Sequence, residues 1–393
     1  MMVSPSAVWD WLLVALCCVA TVYAVVAALA LPSARALAQR PFGKGRTKPV
    51  APVSVLKPLC GEEPRLYENL STFCEQTHPC YQLLFGVSSS ADPAIAVVRR
   101  LQAAYPERDI ALVVDARVHG HNLKVSNLIN LAARAKHELI VLADSDIAVA
   151  RDYLEAVTAP LADPQVGIVT CLYHAKSVGG FWTRVGAQFI NEWFAPSVRI
   201  AHAGGSRSFG FGATLALRAS VLADIGGFDA LKDCLADDYW LAEHTRQRGM
   251  TTVLSEIVVD TDVIEPDFGT LWLRETRWLR TIRSINPLGF AFLFITFASP
   301  WLFAGALLAF HGGSFAREVV LLASTVIGVA ARVGLHARAS REPREFWRDL
   351  PLVPLRDALL ALQWFIAAFG SHVVWRGARM PVVAQVAEGS DGS

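Results

Sequence analysis

An apolar run at residues 7–31 constrains this chain first, because it is long enough to cross a hydrocarbon core, which takes roughly 20 helical residues. Arg35, Arg40, Lys44, Arg46 and Lys48 follow the run rather than precede it, and no small-residue cleavage site is evident. It therefore reads as a retained anchor and not a signal peptide. The basic residues place its C-terminal side in the cytoplasm by the positive-inside rule. Residues 288–310 and 318–337 read as a second and a third span joined by a short Gly-rich loop, with Arg332 near the cytoplasmic end of the third. Arg338, Arg341, Arg344 and Arg348 then mark a return to the cytoplasm. A fourth apolar stretch, 352–375, is interrupted by Arg356, Asp357 and Gln363. A charge at mid-membrane costs about 2.5–3.5 kcal/mol on insertion scales, so this stretch is read as spanning, interfacial or re-entrant. Parity puts the C-terminus outside, while Arg376 and Arg379 argue the opposite.

Between these segments lies a different kind of sequence. The chain is 53% hydrophobic with mean hydropathy +0.37, too apolar for a typical soluble domain, yet its middle is too charged for an all-membrane transporter. A net charge of +1 leaves no global field to attract nucleic acid. The seven cysteines include no CxxC and no His pairing at zinc spacing, so they read as free thiols of a reducing compartment.

Residues 49–286 are long enough for one α/β domain. Apolar runs at 53–56, 83–87, 110–114 and 139–143 read as strands, residues 63–76 and 123–135 as helices, and Asp92-Pro93 opens another helix. Such alternation predicts a mostly parallel sheet covered on both faces. Ligands of such sheets bind at the carboxyl ends of the strands, where Asp92, Asp115 and Asp144 fall. Residues 181–200, rich in Trp, Phe and Ile with Arg184 and Arg199 at the edges, read as an amphipathic helix on the membrane surface, with a core helix as the alternative. The expected organisation is an anchor and basic linker at 1–48, the α/β domain at 49–286, C-terminal membrane or interfacial helices at 287–376, and a tail at 377–393.

Three acidic or basic motifs carry chemistry. Asp144-Ser145-Asp146 ends an apolar strand, and strand residues two apart share a side, so two hard oxygen ligands face a site for Mg2+ or Mn2+. A plain strand-end turn is the alternative. Asp237-Asp238 opens a helix, where carboxylates also favour the dipole. Arg274, Arg277 and Trp278 precede the second span; arginine suits phosphate, and a positive-inside anchor is the other reading. Gly210-Phe211-Gly212 lets backbone approach a ligand closely or forms a β-bulge. Lys124 is either a phosphate partner or a solvent-facing helical lysine.

Taken in order, these motifs resemble the ceramide glucosyltransferase-like branch of the GT-A, family-2-type glycosyltransferases. The resemblance rests on Val55-Leu56-Lys57-Pro58-Leu59 with Gly61, Asp92-Pro93-Ala94, Asp144-Ser145-Asp146, Gly226-Gly227-Phe228-Asp229, Asp237-Asp238-Tyr239 and Arg274-x-x-Arg277-Trp278. It implies a Rossmann-like GT-A cytoplasmic domain and an inverting, metal-dependent transfer from a UDP-sugar to a membrane-lipid hydroxyl. It also implies that Asp238 is the base beside Asp237, that Asp92 contacts base or ribose, and that Lys124 and Asn127 lie near the diphosphate. Asp144 and Asp146 would hold the metal, Arg274 and Arg277 close over the diphosphate, and Trp278 with Gly210, Phe211 and Gly212 border the acceptor. The stretch 119–128 looks most like the bacterial hopanoid-biosynthesis enzymes, implying N-acetylglucosamine transfer to bacteriohopanetetrol in a bacterial inner membrane. Glucose transfer to ceramide is the second expectation. A non-catalytic UDP-binding membrane protein is the reading from another class, and a processive polysaccharide synthase fits less well because those enzymes commonly carry Gln where Arg274 stands.

Overall fold

A computed structural model describes residues 5–38, 51–311, 314–370, 372–375 and 378–381. Arg40, Lys44, Arg46, Lys48, Arg376 and most of the tail lie outside the described residues. The chain divides into two compact units, Met1–Ala38 with Gly179–Ile200 and Ile264–Ser393, and Gln39–Val178 with Ala201–Val263. The α/β unit takes in residues up to Val263, and residues 179–200 group with the hydrophobic helices.

The α/β unit is built on eight strands: β1 (Val53–Pro58), β2 (Tyr81–Val87), β3 (Asp109–Val114), β4 (Leu139–Ala143), β5 (Ile147–Ala148), β6 (Val166–Ser177), β7 (Thr214–Arg218) and β8 (Thr251–Val263). They form one mixed sheet in the order β3-β2-β1-β4-β7-β6-β8-β5. The pairs β3-β2, β2-β1, β1-β4 and β6-β8 are parallel, while β7 runs antiparallel to both β4 and β6. Strands β2 and β4 are buried at every position, as unbroken apolar runs covered on both faces must be. Alternate residues feed two cores. Val55, Leu83, Phe85 and Val141 pack with the helices Leu66–Cys74 and Ala94–Ala104, and Leu56, Leu84, Ile140 and Leu142 with the helix Leu123–Ala132. The central parallel order brings the carboxyl ends of β1, β2 and β4 side by side, where the loops bearing Gly61, Asp92 and Asp144 begin.

In the other unit, Trp9–Leu37 and Phe315–Ala339 are the two described helices long and apolar enough to cross a membrane, at 29 and 25 residues. Helix Pro5–Ala30 meets Phe315–Ala339 through Thr21, whose hydroxyl lies 2.8 Å from Ser324 Oγ. The expected span at 288–310 is broken: Pro287–Thr296 and Ala298–Phe310 are bent by 50°. The second half starts with Ser299-Pro300, and Ser299 N–H donates to Asp357 Oδ2 at 3.1 Å, so a side chain caps the interruption. The stretch 352–375 is likewise not one helix. It follows Pro343–Asp349 at a 58° bend, ends at Ala367, and passes through Gly370 (φ +92°) into a strand, His372–Trp375, paired with Ala378–Pro381.

Residues 181–200 are also corrected. They form continuous helical turns in which Val185, Gln188, Phe189, Glu192 and Trp193 are buried, as the core-helix alternative expects, while Phe181 stays exposed. Its polar residues explain the burial. Glu192 receives His336 Nδ1 at 2.6 Å and Arg332 at 3.4 Å, and Arg332 binds Asp357 through two contacts of 3.1 and 3.0 Å. Buried charges persist only when paired and hydrogen-bonded, because removing one partner strands the other. Asp357→Leu is expected to cost about 3–5 kcal/mol, and the double variant Arg332→Met with Asp357→Leu to recover much of it. Thermal unfolding in detergent checks this, and an Asp357→Leu protein as stable as wild type contradicts it.

Candidate functional site

The polar cluster of the α/β unit begins with a lysine on a helix that needs a particular start. Asn122 caps the helix Leu123–Ala132 by accepting Val125 N–H at 3.1 Å, and its amide donates to Cys234 O at 2.8 Å and Asp237 Oδ1 at 3.3 Å. In the first turn, Lys124 Nζ reaches Asp144 Oδ1 at 2.7 Å and Asp237 Oδ2 at 3.7 Å. Burial works against its charge, but Asp144, Asp237 and Asp238 overcome that and hold the ammonium protonated well above its ordinary range.

Asp237 and Asp238 occupy the first turn of the helix Asp237–Gln247. Asp238 is oriented by two backbone donors, Gly212 N–H to Oδ2 and Tyr239 N–H to Oδ1, both at 2.8 Å. Burial first, and the Asp237 charge second, push its carboxyl above the usual range. Gly212 is where the groups meet. A Cβ there would lie 3.2 Å from Lys124 Nζ, 3.3 Å from Asp144 Oδ2 and 3.4 Å from Asp238 Oδ2. Gly210 is required for a different approach, since a Cβ would collide with the Asp238 carbonyl oxygen. Phe211 donates its N–H to Thr170 Oγ1 at 3.0 Å and stacks on Phe209 at 5.6 Å. These residues form a turn before β7, not a bulge. Gly226 and Gly227, at φ +91° and +68°, supply the left-handed turn that leads toward the Asp237–Gln247 helix.

Behind Asp144 lies a second layer, in which Asp146 meets Lys57, Glu63 and Thr261, three residues that sequence reading did not single out as part of the site. Lys57, fully buried in β1, donates to Asp144 O at 2.7 Å and sits 3.6 Å from the centre of the Phe73 ring. Burial pulls its ammonium down to about 7, against the attraction of Asp144, Asp146 and Glu63. Asp146 accepts Thr261 Oγ1 at 3.2 Å, and Ser145 donates to Glu63 at 3.0 Å. Burial, then the charges of Asp144 and Glu63, push the Asp146 carboxyl up. Lys57 carried a usable signal, a charged residue inside an apolar strand. Glu63 and Thr261 carried none, because only the fold brings them to Asp146.

The other expected residues are placed as follows. Asp92 accepts Gly61 N–H on both oxygens at 3.1 Å and Ala94 N–H at 2.9 Å, tying the β1 loop to the start of the next helix. Asn127 donates to Gly86 O at 2.8 Å at the end of β2. Asp115 is committed to Arg117 at 2.7 Å. Arg274, Arg277 and Trp278 lie in the helix Phe268–Ile285 of the other unit. There Arg274 pairs with Glu265 and covers the Trp278 ring at 4.8 Å, and Trp278 meets Phe189 at 5.3 Å. A cavity of about 510 Å³ lined by Cys74, His78, Tyr105, Arg108 and Arg151 lies at the amino ends of β2 and β3 and holds none of the expected site residues.

Among the described residues, no three His, Cys, Asp or Glu side chains form a ready-made metal cage. The donor set nevertheless fits a hard divalent cation. Lys124 faces Asp144, Asp237 and Asp238, and Lys57 faces Asp144, Asp146 and Glu63, so the carboxylates outnumber these two ammonium groups. Mg2+ is commonly held by one or two carboxylates together with substrate phosphates.

Comparison with known proteins places this geometry in context. The sequence model of glycosyl transferase family 21 matches residues 12–387. Ceramide glucosyltransferases 3 and 1 of Caenorhabditis elegans are 30% and 29% identical over 207 residues, 52% of this chain and 44% of each relative. The chain thus spans under half the length of these relatives. The ceramide glucosyltransferase of Komagataella phaffii is 30% identical over 115 residues, 27% of this chain and 22% of the relative. Among solved structures, the mannosyltransferase PcManGT of Pyrobaculum calidifontis, in complex with GDP-Man and Mn2+, is 20% identical with a TM-score of 0.48, covering 89% of this chain and 99% of that one. At that similarity it bears on neither donor nor metal here.

The charge excess has a consequence for stability. A carboxyl whose folded pKa is raised destabilises the fold once pH exceeds the unfolded value, and the cost is complete above the folded one. Asp146→Asn is therefore expected to raise the melting temperature of the metal-free protein at pH 8 and to change it little at pH 4. Thermal unfolding in EDTA at both values checks this, and destabilisation at pH 8 contradicts it.

Proposed function

The chain belongs to glycosyl transferase family 21, and from that premise we propose that it moves a sugar from a UDP-sugar to the hydroxyl of a membrane lipid, with inversion at the anomeric carbon. The observation that carries the reading is the meeting of Lys124, Asp144 and Asp238 around Gly212. It gathers a cation for phosphate, a carboxylate for metal and a carboxylate for proton transfer at the carboxyl side of the sheet.

Asp238 takes the proton of the acceptor hydroxyl as its oxygen bonds to the anomeric carbon, and the bond to UDP breaks on the opposite face. Its raised proton affinity makes it a stronger base than an exposed aspartate, and the Gly212 and Tyr239 amides fix its orientation. Lys124 offers its ammonium to the diphosphate, and Asn122 and Asp237 hold the surrounding loops. Asp144 and Asp146 would hold Mg2+ or Mn2+, which when bound neutralises charge on the diphosphate. By the family resemblance Arg274 and Arg277 are assigned to phosphate and Trp278 to the acceptor, and in the α/β unit Asp92 and Asn127 shape the nucleotide loops.

UDP-glucose and ceramide are the first pair to assay, supported by the names of the curated relatives. N-acetylglucosamine and bacteriohopanetetrol are the second, supported by residues 119–128. In that stretch, His119 bonds Asn130 at 2.9 Å and His121 bonds Asp233 at 2.7 Å, contacts that hold the fold together and leave the acceptor open. The catalytic unit faces the cytoplasm, with the anchor and C-terminal helices in a bacterial inner membrane. A protein that only binds UDP would not need a carboxylate oriented like Asp238.

Reconstitution into vesicles with UDP-sugars and extracted lipids, followed by mass spectrometry, tests the reading. Asp238→Asn is expected to lower transfer by about 10²–10⁴-fold while UDP still binds. In the wild type, the acid limb of kcat/KM should lie above the ordinary carboxylate range, since Asp238 works only when deprotonated. Wild-type turnover by Asp238→Asn would refute the assignment.

A further inference from the structure

Arg356 interrupts the fourth apolar stretch, and the proposed chemistry makes no use of it. It is 1% exposed, and its guanidinium donates to both Glu275 oxygens at 3.0 and 2.8 Å and to Gln363 Oε1 at 2.8 Å. Glu275 is wholly buried and stands between Arg274 and Arg277 in the helix Phe268–Ile285. The same two helices are fastened again further along. Arg280 donates to His372 O at 2.6 Å and Arg283 to Ala367 O at 2.7 Å, satisfying carbonyls at and beyond the end of the helix Leu352–Ala367.

An apolar helix contact tolerates rotation and sliding, whereas a planar guanidinium whose Nη1 is shared by both Glu275 oxygens and whose Nη2 is held by Gln363 does not. Successive helical residues are separated by about 100° around the axis. Holding Glu275 against Arg356 therefore settles which way Arg274, Arg277 and Trp278 face. Two buried charges are a costly way to join two helices, so stability alone gives little reason for them. We propose that Arg356 is a positioning residue, which through Glu275 fixes the rotation of the helix Phe268–Ile285 and so the presentation of Arg277 and Trp278. This rests on the reading that the signature arginines serve the donor.

The test uses the full chain in vesicles, with UDP-glucose and UDP-N-acetylglucosamine as donors and extracted lipids as acceptor. Replacing the pair together, E275M with R356M, leaves no stranded charge and should preserve folding. It is expected to lower kcat by about tenfold or more, because misplacement of reacting groups is costly. The donor KM should change by less than about threefold, the sign of an interaction felt mainly in the transition state. R356K, which keeps the charge but loses the second nitrogen that Gln363 holds, should lose kcat without losing thermal stability, and it carries the test if the double variant does not fold. Wild-type kcat in the folded double variant, or in R356K, overturns the proposal. R277Q separates the two failures. If R277Q turns over normally, the reading of the signature arginines falls and the proposal with it. If R277Q is inactive while the Arg356 variants are active, only the positioning role falls.

Discussion

One ammonium group among several carboxylates organises the α/β unit's polar end. Lys124 comes from a helix whose start depends on Asn122, Asp144 from the end of β4, and Asp237 and Asp238 from a helix entered through two left-handed glycines. They meet only because the sheet sets β4 between β1 and β7, so that the loop before β7 delivers Gly212 to the tip of β4. A side chain at Gly212 would occupy the space that the charges share.

The cluster is poorly compensated as it stands. Lys57 and Lys124 do not neutralise the acids near them, and burial makes the imbalance more costly. Sites that bind cations and phosphates commonly keep such tension, at the expense of the unliganded fold. The hydrophobic unit follows the opposite rule. Its buried charges are matched: Arg332 with Asp357 and Glu192, Arg356 with Glu275, and Arg274 with Glu265. The first arrangement favours an incoming ligand, and the second favours a fixed packing of helices.

Much of this was legible from residues alone. Strands at 83–87, 110–114 and 139–143 stand out because a parallel core needs uninterrupted apolar runs, and the acids at their ends follow from chain direction. Asp144 stood out at the end of an apolar strand and Asp238 through its motif, and the fold brings both to Gly212. The breaks in the C-terminal helices were harder to read. Hydropathy averages over Phe297 and Gly370, and it prices Arg356 and Asp357 as if they faced lipid, whereas each meets a partner far away in sequence. The same averaging hid residues 181–200, where Phe189, Trp193 and Glu192 turn inward. Glu63 and Thr261 were unreadable because their proximity to Asp146 arises from strand and loop placement.

The central claim is that carboxylates from separate stretches form one seat for a divalent cation shared with a nucleoside diphosphate. Electron paramagnetic resonance of Mn2+ titrated with UDP measures this directly. The account predicts that bound Mn2+ appears with the wild-type protein and UDP, persists in Asp238→Asn, and disappears when Asp144 and Asp146 are both changed to Asn. Equal Mn2+ and UDP binding by that double variant would contradict it.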